Sequence, residues 1–322
     1  MDAENNLLFG IAAPQIHIEL PVNVEEIQRY LKRAEALGFH SIWAQEQAGF
    51  RASASALDGV SMLSYAAAVT RRPLLGMAVF LINLRNPIQL AKSLASLDQL
   101  SQGRLIVGVG LGGVTRLYQA YGLSPERRLA RFIEGLTLIQ KLWTEEDVNF
   151  DGQFWQLKNA TLLPRPFQKP HPPLWFGANA PAALRRAAKR GSGFIGAGSA
   201  ATADFREQVK IVKQALAEAK KNPQEFTIAK RVYIAVDRDR ERAARRVREW
   251  FGLYYGAAEL AEKVAVWGSA EECAAQLSQI VAAGARLLAL NPMFDMMDHL
   301  EVLAGEVIPH LSSRVAGLSA EV

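Results

Sequence analysis

Cysteine is almost absent from this 322-residue chain. Cys273 stands alone, which excludes an intramolecular disulfide and any zinc or iron–sulfur site built from several cysteines, and it fits a reducing cytoplasm. Long apolar runs are missing too. The longest, Leu74 to Ile82, is about half of the ~20 residues a membrane helix needs, so no membrane span is expected. Met1 to Asn6 is polar and acidic, without the basic start and apolar stretch of an export signal, and against that background Asn159-Ala160-Thr161 reads as a chance match to a glycosylation acceptor. Charge of one sign is in short supply, since 37 Lys and Arg against 32 Asp and Glu leave +5. The densest basic run, Arg238 to Arg248, is interleaved with Asp239, Glu241 and alanine at helical spacing and lacks stacked aromatics. It reads as a solvated helix face, not a nucleic-acid platform. The five histidines, His17, His40, His171, His299 and His310, show no metal-ligand spacing, and neither a serine nucleophile elbow nor a Walker loop occurs.

What is present is a cadence. Eight β-rich runs, Leu7–Ala13, Ser41–Ala44, Leu74–Leu81, Leu105–Val109, Leu174–Phe176, Gly193–Ile195, Phe226–Val236 and Leu287–Leu290, alternate with segments of helical period. Ile27, Tyr30, Leu31, Ala34 and Leu37 form one such apolar stripe, and Leu129, Phe132, Ile133, Leu136 and Ile139 another. Gly38 and Gly103 stand where helices end, and Pro87, Pro125 and Pro181 stand near helix starts. Eight strand–helix units suit a closed (β/α)8 TIM barrel better than an open doubly wound sheet of five to seven strands. No linker interrupts the chain, so residues 1–322 read as one α/β domain with two insertions. The first follows the fourth helix, where Phe150-Asp151-Gly152-Gln153-Phe154-Trp155 predicts a hairpin around an Asp-Gly turn, followed by an extended proline-rich connector through Pro173. The second, Arg238 to Gly268, follows the seventh strand and carries Trp250, Phe251, Tyr254 and Tyr255, which either pack on the barrel or cover a ligand mouth.

Three loops at strand ends could carry chemistry. Gly108-Val109-Gly110-Leu111-Gly112-Gly113 formally matches a dinucleotide fingerprint, but no helix opens at the glycines and the acidic residue ending a second strand is missing. The glycines permit either a flat ligand against bare backbone or tight turns at the barrel rim. Gly177-Ala178-Asn179-Ala180-Pro181 and Gly196-Ala197-Gly198-Ser199 each lead into a helix whose amide N–H groups suit a phosphate, with Ser199 or Thr202 as a further donor or N-cap. Glu46, just past the second strand, is either half of a rim salt bridge or a carboxylate at the active face.

These residues resemble the bacterial luciferase-like flavin and deazaflavin oxidoreductases over nearly the whole chain. The most specific stretches are Leu75-Gly76-Met77-Ala78-Val79 through Arg85-Asn86-Pro87, then Leu97-Asp98-Gln99-Leu100-Ser101-Gln102-Gly103-Arg104-Leu105 and the Gly108 to Gly113 turn. Phe132, Glu134, Leu142-Trp143, the Phe150 hairpin and the Gly177 loop follow in family order. The resemblance implies a (β/α)8 barrel with the cofactor ring at its mouth, backed by a bulge with a non-prolyl cis peptide that aligns with Ala78-Val79. It implies ring and ribityl contacts from Leu111 and Gly112, and phosphate contacts from Gly177, Ala178, Asn179 and the Ala197 region. A lysine that some deazaflavin members use near the phosphate is Ala200 here. It further implies hydride transfer between coenzyme F420 and a small organic substrate. The alternatives are an FMN-dependent monooxygenase using O2 and a non-catalytic flavin-binding barrel. A cytoplasmic homodimer is expected. Sugar-phosphate dehydrogenases of this branch carry an Asp-His pair after strand two and a Glu after the strand-four glycines, whereas this chain has Glu46-Gln47 and Gly113. Alcohol oxidation by that route is therefore expected to fail, leaving Glu46 as the acid–base group, with His17 and Arg116 lining the same mouth.

Overall fold

The computed structural model describes residues 7–17, 20–47, 55–113 and 117–320. Among them, eight parallel strands close into a barrel: β1 (Leu8–Ala12), β2 (Ser41–Ala44), β3 (Leu74–Met77), β4 (Leu105–Gly110), β5 (Leu174–Phe176), β6 (Gly193–Gly196), β7 (Thr227–Val236) and β8 (Leu287–Pro292). Each pairs with the next, as in Ile42 opposite Leu75 and Ile195 opposite Ala229, and β8 closes on β1 with Leu288 opposite Phe9. The expected (β/α)8 TIM barrel is the fold.

Strand side chains alternate between two apolar environments. Outward residues such as Ile42, Leu75, Phe194 and Leu288 pack under the surrounding helices. Inward residues fill the lumen, where Trp43 and Trp175 lie 5.3 Å apart above Ile106, Ala229 and Leu287. Room for the indoles comes from their neighbours: a Cβ on Gly76 would sit 2.4 Å from the Trp43 ring. Large beside small is how a closed barrel fills its interior.

The longer helices among the described residues are α1 (Val24–Ala36), α2 (Gly59–Val69), α3 (Pro87–Leu100), α4 (Arg128–Thr144), α5 (Pro181–Arg190), α6 (Thr202–Glu218), α7 (Arg240–Tyr255), α8 (Ala270–Ala282) and α9 (Ile308–Ala320). None is long and apolar enough to cross a membrane. Side chains cap α1, α2, α3, α7 and α8: Asn23, Asp58, Asn86 and Asp239 accept N–H groups, and Ser269 with Glu272 forms a capping box. Gly38 and Gly103 follow α1 and α3 with φ of +82° and +80°, the conformation that ends a helix at glycine. The N-caps of α4, α5 and α6, by contrast, are Arg127, Ala180 and Ala201, and none makes a side-chain cap bond. Ser199 and Thr202 therefore do not cap α6.

Both insertions form as units. Strands Val148–Asp151 and Gln156–Ala160 pair antiparallel as the expected hairpin, joined by a four-residue loop that opens at the Asp-Gly step and is closed by Asp151 opposite Gln156. Its shape comes from tertiary contact, since the Glu134 carboxylate on α4 accepts the N–H groups of Gln153, Phe154 and Trp155 at 2.8–3.0 Å. The fully buried Asp98 accepts the N–H and side-chain amide of Gln168 and anchors the following connector to α3. In the second insertion α7 lays Trp250 and Phe251 against Tyr233 of β7, and Val266–Gly268 extends the sheet beside β7.

Adjacent cations in β7 fall on opposite sides of the barrel wall. Lys230 points outward and is 2% exposed; its Nζ donates to the carbonyls of Ala197 and Ala200, tying the β6–α6 loop from behind. Burial pushes the ammonium down to about 7. Between that value and the ordinary lysine range the unfolded chain holds the proton and the folded chain does not. The cost of burying Lys230 is therefore complete below pH 7 and is relieved as pH rises. Urea denaturation of Lys230→Met beside the unmodified protein should show the mutant's relative stability falling by about 2–3 kcal/mol between pH 7 and pH 9, about 1.4 kcal/mol per pH unit. A pH-independent difference would mean that Lys230 stays charged throughout.

Candidate active site

Above the tryptophan layer the lumen opens into a cavity of about 410 Å³ at the C-terminal ends of the strands. Its wall at β3 is a bulge. The expected strand Leu74–Leu81 is interrupted at Ala78 and Val79, whose peptide bond is cis, and pairing with β4 resumes at Phe80 opposite Val109. The glycines of β4 make way for this bulge: a Cβ on Gly108 would lie 1.8 Å from the Met77 carbonyl, and one on Gly110 would lie 2.6 Å from Val79 Cγ2. The glycine run thus accommodates neighbouring backbone and opens onto a flat apolar surface of Ala78, Val79 and Leu111; Gly113 faces open space.

Ala78, Val79, Leu111, Gly112, Gly177, Ala178, Asn179 and Ala197 all line this one cavity. Sequence reasoning did not single out Leu81, Arg128, Ala183, Ile195 or Arg231, which line it as well. The starts of α4 and α5, two helices without side-chain caps, lie at its edge, and Gly196 and Ala197 of the loop leading to α6 line it as well. The first N–H groups of those two helices are unmatched by side chains of their own, which is the arrangement that receives an anion. Arg128 Nη1 donates to the Gly112 carbonyl at 2.9 Å, placing a cation beside the glycine turn. Asn179 is held from behind by Gln208 at 3.2 Å. Lys230 does not replace the cation that Ala200 lacks, since its Nζ is spent on the loop's carbonyls outside the cavity. A flat heterocycle with a phosphate tail fits these residues, with apolar bulge and glycine turn for the ring and helix starts for the phosphate.

Arg231, inward-facing on β7, is the residue whose signal was available and unread. Two adjacent cations in the middle of a strand covered on both sides require two explanations, one per face. The Arg231 guanidinium lies deep in the mouth, donates to the Tyr233 hydroxyl and stacks over that ring at 4.7 Å. Tyr233 OH and Tyr255 OH are 2.6 Å apart, and Gln47 Nε2 donates to Tyr254 OH at 2.8 Å. The inserted helix therefore does both things open to it: Trp250 and Phe251 pack, while Tyr254 and Tyr255 bring hydroxyls to the mouth.

Glu46 is not among the residues that line the cavity. Its carboxylate takes a two-point ion pair from Arg85, at 2.9 Å from Nε and 2.7 Å from Nη2, and accepts the Leu81 N–H at 3.3 Å. Arg85 bonds Asp58 as well, and hydrogen bonding from Glu46 holds its guanidinium well above the ordinary arginine range. Three of the carboxylate's lone pairs are thus taken, and the salt bridge that the sequence offered as one alternative is present. His17 lies in a short strand, Ile16–His17, paired with Ser55–Ala56; its side chain and all of Arg116 fall outside the described residues. Among the described residues no group of His, Cys, Asp and Glu could hold a metal ion, and burial pushes the Cys273 thiol up to about 12, which makes it inert. A second cavity, at the start of α7, is lined by charges already paired with one another, Arg242 with Asp237 and Arg246 with Asp295.

The comparisons with known proteins agree with this geometry. The sequence pattern of the luciferase-like monooxygenases matches residues 7–287. The F420-dependent glucose-6-phosphate dehydrogenase of Amycolatopsis mediterranei is 28% identical over 315 residues, covering 89% of this chain and 94% of that protein. The monooxygenase RslO1 from Streptomyces bottropensis superposes with a TM-score of 0.79 at 28% identity, over 94% of this chain and 99% of its own. An F420-dependent secondary alcohol dehydrogenase, in complex with an F420-acetone adduct, has the same fold with a TM-score of 0.82 at 21% identity, over 95% and 99% of the two chains. With the match running from β1 into β8 and the cavity at the strand ends, this chain belongs to the luciferase-like monooxygenase family and is an oxidoreductase of that family.

Proposed function

We propose that this oxidoreductase uses coenzyme F420 and works on a small organic substrate entering at the barrel mouth. The observation that carries the reading is the convergence on one cavity of an apolar bulge, a glycine turn, two helix starts without side-chain caps and the small residues ending β6. When bound, the deazaflavin supplies a two-electron hydride carrier. Ala78, Val79, Leu111 and Gly112 flank its ring, Gly177, Ala178, Asn179 and Ala197 hold its phosphate, and Arg128 offers charge to its acidic tail. The relatives named as F420-dependent support this choice. FMN with O2 is the second reading, favoured by the likeness to the monooxygenase RslO1.

The substrate is not a sugar phosphate oxidised with help from a histidine base. Gln47 stands where that base would be and is bonded to Tyr254, and Gly113 supplies no side chain. Glu46 acts here as a positioning residue, fixing Arg85 and Leu81 beside the bulge. We further propose a cytoplasmic homodimer joined through the apolar surface of Leu100, Leu163 and Phe167, which are 73%, 66% and 53% exposed.

Three measurements test these assignments. Titration with F420 and with reduced FMN, followed by absorbance with and without air, should show micromolar F420 binding and no oxygen-dependent change. Preferential binding of FMN with oxygen consumption would favour the monooxygenase reading, and efficient glucose-6-phosphate oxidation would defeat the substrate argument. Glu46→Gln should lower stability by about 2 kcal/mol, the scale of a charged hydrogen bond left unmade. It should leave the pH profile of hydride transfer unshifted, whereas loss of one limb of that profile would restore Glu46 as the proton carrier. Light scattering at micromolar concentration should give twice the 35.4 kDa of one chain.

A further inference from the structure

Arg231 is a part-buried cation with no carboxylate partner among the described residues. Among the described residues its Nε makes no hydrogen bond, and the groups that bear on its charge are phenols, not carboxylates. Burial works against the charge and the oxygens of Tyr233 and Tyr255 favour it; an arginine remains cationic in either case. A guanidinium withdrawn in part from water without a counter-ion carries a cost, and such a cost persists where function requires it. Space is left for a partner where Arg231 lines the cavity, while on its other flank Gly198 makes room for the Tyr233 ring, since a Cβ there would come within 2.8 Å of that ring. The surroundings describe that partner's other end. Tyr233, Trp250, Tyr254 and Tyr255 form an aromatic cluster over this part of the mouth, with Trp250 and Tyr254 stacked at 4.6 Å.

We propose that Arg231, with the hydroxyls of Tyr233 and Tyr255, receives an anionic group of the substrate, so that the substrate is a small organic anion of the carboxylate or sulfonate type on an apolar body. This rests on the proposed coenzyme reading in one respect, that the start of α5 and the loop leading to α6 serve the coenzyme phosphate and leave Arg231 to the substrate. Arg231 comes from the inner face of β7, beneath the inserted helix, whereas those groups belong to the loops after β5 and β6. A fork of N–H donors beside two phenols matches a carboxylate by paired, charge-assisted hydrogen bonds.

The test uses benzoate and sulfate as probes on the unmodified protein, Arg231→Met and Arg231→Lys. Melting temperature and titration calorimetry are measured with and without F420, and F420 affinity is followed by its fluorescence. We expect benzoate at millimolar concentration to raise the melting temperature of the unmodified protein. Arg231→Met should bind it at least tenfold more weakly and Arg231→Lys should fall between the two. F420 affinity should stay within threefold in both variants, and without ligands Arg231→Met should melt at or above the unmodified protein. Benzoate and sulfate shifts equal in all three proteins, or absent from the unmodified one, would overturn the proposal. An F420 affinity tenfold weaker in Arg231→Met would assign the arginine to the coenzyme, and a lower melting temperature without ligands would make it structural; either result also overturns it. If F420 fails to bind the unmodified protein, the coenzyme reading falls while the benzoate arm without coenzyme still decides the role of Arg231.

Discussion

A closed parallel barrel must satisfy two packing requirements with one strand, because every second side chain faces the helices and the others face one another across the lumen. Here the lumen is closed by two indoles, Trp43 and Trp175, and by the glycines that make room for them. Everything above that layer is space the chain does not fill. The β3 bulge at Ala78 and Val79, the retreat of β4 behind glycines and the small residues ending β5 and β6 together leave a cavity at the one end where eight loops can supply chemistry.

Polar groups follow the same division. At the other end they are spent within the fold: Arg104 donates to the carbonyls of Ala67, Thr70, Pro73 and Ser101, and Asp98 and Glu134 pin the connector and the hairpin. At the mouth this closure stops. Two helix starts lack side-chain caps, and a part-buried arginine has no carboxylate partner among the described residues. Lys230 and Arg231 show how sharply the boundary is drawn, since one residue of register separates a cation that braces a loop from one that faces the cavity. Glu46 lies on the structural side of that boundary. Its carboxylate joins β2 to Arg85 and to the backbone beyond the bulge, so the rim of the cavity and the site's own wall are held by a single ion pair.

The repeating architecture was legible in the amino-acid order because it is written in short-range periodicities. Alternation of period two, stripes of period 3.6 and glycine or proline at the ends locate strands and helices without knowledge of the partner each will meet. The loops that line the cavity were legible for a related reason. In a barrel of this kind every strand's C-terminal end is on the same face, so Gly112, Gly177 and Ala197 converge once the eight units are counted. What the order of residues could not decide is which charged groups are already taken. Glu46 and Arg85 are 39 positions apart, and Glu134 is 20 from the hairpin tip it shapes. Whether Arg231 meets a carboxylate or an open cavity depends on Gly198 and Tyr255 arriving from two other segments. Periodicity is local and was determined by the sequence alone. The state of a buried charge is set by the whole set of neighbours that folding assembles around it, and only the tertiary structure decides it.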